Sequence, residues 1–133
     1  MSQRPRTAVL LRMAALVAVL FGAATIFSGA RVLFGSDAVR QAAGAFVPWV
    51  LWFNTVAGLV YIAAGVGLWL RRAWAVRLSA VLALASVLVF AALGVHAALG
   101  GAYEMRTVAA MALRCAFWIG LAWFAARSVG TAR

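Results

Sequence analysis

The sequence predicts an all-α integral membrane protein in which four transmembrane helices form an up-down-up-down antiparallel bundle. Hydrophobic residues make up 68% of the 133 residues and charged residues only 11%, a composition far outside that of soluble globular domains. The apolar residues also fall into four long runs, each with the roughly 20 residues that cross a hydrocarbon core. Because a lipid-exposed backbone must satisfy its own hydrogen bonds, each run is expected to be a helix.

The four spans are predicted at residues 8–34, 47–70, 76–99 and 107–126, within one domain covering residues 1–133. The first run is too long for a signal peptide and three spans follow it, so we expect it to be retained. Between the first two spans, Ser36 is expected to cap a short amphipathic segment over about 36–45, which Gly44 ends before Pro48. The other turns are short, so consecutive spans should be antiparallel neighbours.

Glycines predict where two of the spans approach each other. Gly22 and Gly29 are seven residues apart in the first span, and so are Gly58 and Gly65 in the second. Seven residues make about two helical turns, so each pair lies on one helix face. Because glycine has no side chain, these faces allow two backbones to come close together in a membrane.

The net charge of +10 is explained by its distribution along the chain. One side of the predicted bundle carries most of the arginines: Arg4, Arg6, Arg12, Arg71, Arg72, Arg77, Arg127 and Arg133. The other side carries fewer arginines and both acids: Arg31, Arg40, Arg106, Asp37 and Glu104. Excess arginine marks the cytoplasmic side, so both termini are predicted to be cytoplasmic, in the inner membrane of a bacterium. The basic clusters are expected to contact anionic membrane lipid and not nucleic acid.

Several polar, charged or functional side chains in and just before the fourth span lie on one stripe of a helix. At spacings of three and four residues, they are Glu104, Thr107, Met111, Arg114 and Trp118. Arg114 lies eight residues beyond Arg106, which at a rise of about 1.5 Å per residue is about 12 Å deeper in the membrane. A side chain reaches back only part of that distance. Since an ionisable residue within a span normally faces the bundle interior, the stripe should face protein.

A polar pocket is therefore predicted in the outer half of the bundle, around Arg114. Asn54 lies at about the same depth in the second span and shares a stripe with Tyr61. Further polar residues approach from the outer ends of the first and third spans: Thr25, Ser28, Arg31 and His96. The candidate binding residues are Arg114, Asn54, Glu104, His96, Arg31, Thr107, Met111, Tyr61 and Trp118.

Two uses of this pocket follow from its polar residues. In a purely internal network, Arg114 bonds to Asn54 while Glu104 pairs with Arg31 or Arg106, and the four helices are held in one register. In a binding site, the same groups hold one small ligand, such as a quinone head group, a lipid phosphate or a small organic anion. The Arg114 guanidinium is compatible with both, because it needs nearby oxygen acceptors, which either the protein or a ligand can supply.

Metal or haem chemistry is a third use of the outer residues. His96, Glu104 and Met105 can supply nitrogen, oxygen and soft sulfur, a mixed ligand set that suits copper. His96 with Met111 is the histidine–methionine pairing that a haem would need. The single cysteine excludes an internal disulfide and a CxxC motif. No triad, phosphate loop or catalytic carboxylate pair is visible, so we expect no enzyme activity from this chain by itself.

Three functions correspond to these uses. The first is an integral membrane accessory or small-ligand-binding subunit of a larger membrane system, with another membrane protein or further copies of the chain as partner. The second is a metal- or haem-binding membrane protein. The third is a small transporter or channel subunit, which requires oligomerisation because four helices with one polar stripe enclose little volume.

A layout of short motifs runs through the first three spans, from "LRMAALVAVLFGAATIFSGARVLFG" to "NTVAGLVYIAAGVGLWLRRAWAVRLSA". Its markers are basic residues and glycines at defined places along these spans: Arg12, Gly29, Arg31, Gly58, Gly65 and Arg71. This layout resembles the DoxX-like group of small four-helix membrane proteins. That group commonly has an acidic residue early in the second helix, where this chain has Asn54. The resemblance implies a membrane accessory protein of a redox or thiol-handling system, with quinone among its candidate ligands.

Overall fold

The computed structural model describes residues 3–130, with side chains from residue 5 to residue 129. Its five helices are α1, Gln3–Phe34; α2, Asp37–Ala43; α3, Pro48–Trp69; α4, Ala73–Ala98; and α5, Met105–Gly130. No strand occurs between residues 3 and 130, so the all-helical prediction is confirmed. Arg133 and the side chain of Arg4, both predicted to mark the cytoplasmic side, lie outside the described residues.

Four of these helices, α1, α3, α4 and α5, are long and apolar enough to cross a membrane. They correspond to the four predicted spans, but α1 begins before residue 8 and α5 continues beyond residue 126. The added turns include Arg6 and Arg127, and arginine is a good helix former. Large apolar side chains such as Leu20, Leu59, Leu84 and Leu113 are exposed on the outside of the bundle. This outer surface is suited to contact with lipid.

The four long helices form two antiparallel pairs. α1 packs mainly on α3, α4 packs mainly on α5, and contacts between α3 and α4 join the pairs. We call the end that carries α2 and the α4–α5 turn the α2 end, and the other end, with the chain termini and the α3–α4 turn, the termini end. At the termini end, Arg71 Nη2 donates a hydrogen bond to the Ser128 carbonyl at 3.2 Å, which links the α3–α4 turn to the last turns of α5.

The contact between α1 and α3 is closest where their glycines face each other. A Cβ on Gly22 would lie 2.6 Å from the Gly58 carbonyl oxygen, and a Cβ on Gly65 would lie 2.8 Å from the Ala15 carbonyl oxygen. Both distances are too short for any side chain, so the two backbones touch, as the seven-residue spacing predicts. Thr25 follows Gly22 by one turn and Asn54 precedes Gly58 by one turn, so the antiparallel contact brings these two polar residues to one level.

The short helix α2 forms where it was predicted. The Ser36 side chain accepts a hydrogen bond from the Val39 N–H at 3.4 Å, and Gly44 ends the helix with φ at +74°, a conformation that glycine adopts without steric cost. Arg40 then attaches α2 to the end of α1, because its guanidinium donates to the Val32 and Leu33 carbonyls at 3.1 and 2.6 Å. The segment therefore lies against the end of the bundle.

Candidate functional site

A cavity of about 270 Å³ lies between α1, α3 and α5 at the α2 end of the bundle. Polar side chains from all three helices and from the α4–α5 turn line it: Thr25, Ser28, Asn54, Glu104, Arg106, Thr107 and Arg114. Much of its apolar wall comes from α1, the α2–α3 connection and the start of α3: Val32, Phe46, Val47, Val50 and Leu51. Four of the predicted binding residues therefore meet at one site: Arg114, Asn54, Glu104 and Thr107.

Arg114 supplies a buried cation to this cavity. Its side chain is only 8% exposed, and Nη2 donates to the Thr25 hydroxyl oxygen at 3.2 Å. The guanidinium carbon lies 5.3 Å from the centre of the Phe21 ring, whose face attracts a cation. Among the described residues, Nε has no hydrogen-bond partner and no carboxylate pairs with the guanidinium. The protein thus satisfies only part of the hydrogen-bonding capacity of a group with five donors.

Asn54 provides a second polar group in the wall, at the level of Thr25. It is 8% exposed, and its Oδ1 is buried with no hydrogen-bond partner within residues 3–130. An internal network would have joined Arg114 to Asn54, but Arg114 bonds to Thr25 instead. The cavity therefore presents an amide and a cation side by side, each with unused hydrogen-bonding atoms.

Glu104 and Arg106 hold the α2–α3 connection across the cavity. Glu104 Oε1 accepts the Ala45 N–H at 2.7 Å, so its predicted pairing with Arg31 or Arg106 does not form. Arg106 Nη2 donates to the Ala42 and Ala43 carbonyls at 3.3 and 3.5 Å. Any side chain at residue 44 would collide with the Glu104 carboxylate. The positive φ of Gly44 and this contact both require glycine there.

Tyr61 and Trp118, predicted as pocket residues, lie deeper in the bundle and do not line the cavity. Their ring centres are 4.9 Å apart and both side chains are fully buried. The Tyr61 hydroxyl lies near the Ser86 hydroxyl, the Trp118 indole N–H and the Arg114 guanidinium, but in the described part of the chain no well-formed hydrogen bond joins these buried groups. They form an inner polar layer next to Arg114, on the side away from α2.

Three further predicted binding residues lie outside the cavity. Arg31 is exposed on the outer face of α1, with its guanidinium 5.8 Å from the Phe27 ring centre. Met111 is fully buried in a small apolar cluster with Val50. His96 lies at the end of α4, where its Nε2 is 2.9 Å from the Ala102 carbonyl oxygen. These residues lie at the depth of the cavity along their helices, but their side chains point away from it.

The predicted metal ligands make other contacts or face the outside in this structure. The His96 ring is hydrogen-bonded within its own turn, and the Glu104 carboxylate is engaged by Ala45. Met105, which would supply sulfur, is 66% exposed. Within the described residues, no group of three or more His, Cys, Asp and Glu side chains is placed to hold a metal ion. The metal and haem alternatives, which also depend on Met105 or Met111, stay predictions.

The sequence reasoning missed the contribution of the α2–α3 connection to the site. Ala43 at the end of α2 and Phe46 and Val47 of the connection line the cavity, and so does Arg106, which was predicted as an outer-side arginine and a possible partner of Glu104. One signal was present in the sequence. Only a few residues separate Gly44, where α2 ends, from Pro48, where α3 begins. So short a connection must run close over the first turn of α3.

The cavity has a small net positive charge, and its lining contains hydrogen-bond donors that can bind oxygen atoms of a ligand. Arg106 and Arg114 contribute two positive charges and Glu104 one negative charge, which leaves the cavity with a formal charge of +1. The hydroxyls of Thr25 and Thr107 add neutral donors beside apolar walls, whereas the Ser28 hydroxyl donates to the Thr25 carbonyl at 3.3 Å. The chain matches no family model, no curated protein and no solved structure. Its function is therefore inferred from the chemistry of its own residues.

Proposed function

We propose that this chain is an integral membrane accessory subunit that binds a small organic anion in the cavity around Arg114. The anion places its carboxylate, or another group of acceptor oxygens, against the Arg114 guanidinium. Asn54 and the Thr25 hydroxyl contribute hydrogen bonds, and the apolar part of the ligand lies against the wall formed by Val47 and Val50.

The observation that carries this proposal is the incomplete pairing of Arg114. A charge taken out of water costs several kcal/mol unless other groups compensate it, and ionisable residues within spans usually have a function. Arg114 is only 8% exposed, yet its compensation consists of the Thr25 hydroxyl, the nearby Tyr61 hydroxyl and the face of the Phe21 ring, with no carboxylate among the described residues. An anion in the adjoining cavity would supply the missing acceptors.

Cavity size and charge narrow the ligand class. Pockets for drug-sized ligands are about 300–1,000 Å³, so a cavity of about 270 Å³ is suited to a smaller molecule. The formal charge of +1 around it favours one negative charge over two. The apolar wall favours a ligand with a hydrophobic body. A small monocarboxylate meets all three conditions, and a dianionic phosphate meets them less well.

Thermal unfolding of the detergent-solubilised protein tests this assignment with defined probes. Sodium benzoate carries one carboxylate on an apolar ring, methyl benzoate is its neutral analogue, and sodium chloride controls for ionic strength. At ten times its dissociation constant, benzoate should stabilise the protein by about 1.4 kcal/mol and raise the Tm by about 5 °C. Methyl benzoate and chloride should leave the Tm unchanged.

Two further probes distinguish other ligands. Sodium phosphate should stabilise the protein less than benzoate does, because it carries more charge and no apolar surface. Short-chain ubiquinone tests for a neutral quinone head group, whose carbonyl oxygens accept the same donors. Stabilisation by ubiquinone without stabilisation by benzoate would contradict the proposed anion and identify a neutral ligand in its place.

We also propose that the α2 end faces outward and that both termini are cytoplasmic in a bacterial inner membrane. The described arginines support this orientation, since the termini end carries Arg6, Arg12, Arg71, Arg72, Arg77 and Arg127. The α2 end carries Arg31, Arg40 and Arg106 with both acids. Excess arginine favours retention on the cytoplasmic side. The cavity would then open toward the outside of the cell.

Cysteine labelling in intact cells tests the orientation. In a Cys115→Ser background, one variant carries Gln41→Cys on the exposed face of α2, and a second carries a cysteine appended to the C-terminus. A membrane-impermeant maleimide should label Gln41→Cys in intact cells and should label the C-terminal cysteine only after lysis. The reverse pattern would show that the cavity opens toward the cytoplasm.

The larger assembly is a redox or thiol-handling membrane system in this proposal. Its support is the DoxX-like layout of the first three spans. The partner is another membrane subunit or a further copy of the chain. The bundle supplies the ligand site, and the partner supplies the chemistry for which this chain has no visible catalytic group.

A further inference from the structure

An apolar groove runs between α1 and α3 at the termini end, far from the cavity. Its volume is about 290 Å³, and its walls are formed by Ala15, Leu16 and Val19 from α1 and by Val66, Trp69 and Leu70 from α3. The groove is narrow because Gly65 brings the two backbones together at its floor. It therefore offers an apolar depression between the two helices.

A cation stands at the end of this groove. Arg12 precedes Ala15 and Leu16 by three and four residues, so it lies on the same stripe of α1, one turn closer to the termini end. Its guanidinium carbon lies 5.6 Å from the centre of the Trp69 ring, which is itself a groove wall. Arg12 is exposed, so it can also contact a negatively charged group from outside.

We propose that this groove is a binding site for one anionic phospholipid. The phosphate contacts the Arg12 guanidinium beside Trp69, at the level where tryptophan rings and lipid headgroups meet. One acyl chain lies in the groove between Leu16 and Val66. The basic turn that follows Leu70 adds to the positive potential there, although Arg71 itself donates to the Ser128 carbonyl.

This site is independent of the ligand proposed for the cavity. It is at the opposite end of the α1–α3 pair, it shares no lining residue with the cavity, and it contains no buried polar group. It also differs from a general attraction of the basic surface for lipid. A general attraction requires only charge, whereas this site requires both Arg12 and the open groove.

Native mass spectrometry of the full-length protein in detergent tests the site with phosphatidylglycerol and phosphatidylcholine of identical acyl chains. We expect one phosphatidylglycerol to bind more tightly than phosphatidylcholine. Arg12→Gln should weaken phosphatidylglycerol binding about five-fold, the effect of one surface arginine, and should weaken phosphatidylcholine binding less, because the choline ammonium offsets the charge of its phosphate. The matched control is Arg127→Gln, which removes a termini-end arginine that stacks on Trp123 at 4.3 Å, outside the groove.

The groove itself is tested by Val66→Phe, which adds volume from an exposed position without disturbing the glycine contact. It should prevent binding of both lipids at this site, and Leu16→Phe from the other wall should repeat the result. Each variant must retain the wild-type Tm. Equal losses in Arg12→Gln and Arg127→Gln, or unchanged phosphatidylglycerol binding when both walls have been filled, would overturn the proposal.

Discussion

Replacing Arg114 with leucine is expected to weaken benzoate binding strongly while the protein stays folded and inserted in the membrane. Hydrogen bonds to a charged group contribute about 1.5–3 kcal/mol each, so losing the guanidinium should weaken binding about 10- to 100-fold. Folding should not suffer, because leucine in place of an incompletely paired buried charge is often neutral or stabilising. The measurement is the benzoate-induced change in Tm for the wild type and the variant.

The control for this prediction is Arg127→Leu, which removes an arginine from the same helix at a distance from the cavity. It should retain the full benzoate effect. Arg114→Lys should retain part of it, since lysine keeps the charge but loses the planar fork of donors. If Arg114→Leu loses several kcal/mol of stability and no probe stabilises the wild type, Arg114 serves the architecture alone. An unchanged benzoate effect in Arg114→Leu would also contradict the proposal.

Gly22→Leu is expected to destabilise the bundle strongly, by about 3 kcal/mol in the free energy of unfolding. A Cβ at this position would lie 2.6 Å from the Gly58 carbonyl oxygen, 2.9 Å from Ile62 Cγ1 and 3.0 Å from Tyr61 Cβ. Two of these neighbours are close to the backbone of α3 and cannot rotate away, so α1 and α3 must separate. The free energy is measured by unfolding the protein in mixed micelles of rising SDS fraction.

The matched control is Gly120→Leu, on the outer face of α5. A Cβ there meets no atom within 4 Å, and leucine is a better helix former than glycine. This variant should be as stable as the wild type or slightly more stable. Similar free energies of unfolding for the two variants would show that the glycine contact between α1 and α3 is not a source of stability.

The features that could be predicted from the sequence are those set by local chemistry. The composition of each apolar run predicts a helix long and apolar enough to cross a membrane. The two ends of α2 are set by the hydrogen-bonding preference of Ser36 and the φ preference of Gly44. The seven-residue glycine spacing predicted the α1–α3 contact because close approach depends on the absence of a side chain. Each of these inferences uses residues that are near one another in the chain.

The features that could not be predicted depend on how helices are rotated against one another. Tyr61 shares a stripe with Asn54, yet it packs on Trp118 below the cavity, because the stripe is long enough to pass from the cavity into the core. Glu104 was expected to pair with an arginine, but its carboxylate accepts a hydrogen bond from the Ala45 N–H, 59 residues away in the chain. Partners so distant in the chain leave no local pattern in the sequence.

The central claim is that the cavity around Arg114 binds a small anionic molecule. Native mass spectrometry of the protein, purified gently from its own membrane, tests it most directly. The wild type should carry one discrete small-molecule adduct that is released as an anion on activation, and Arg114→Leu should not carry it. A wild type without any adduct, or an adduct that Arg114→Leu retains to the same extent, would contradict the claim.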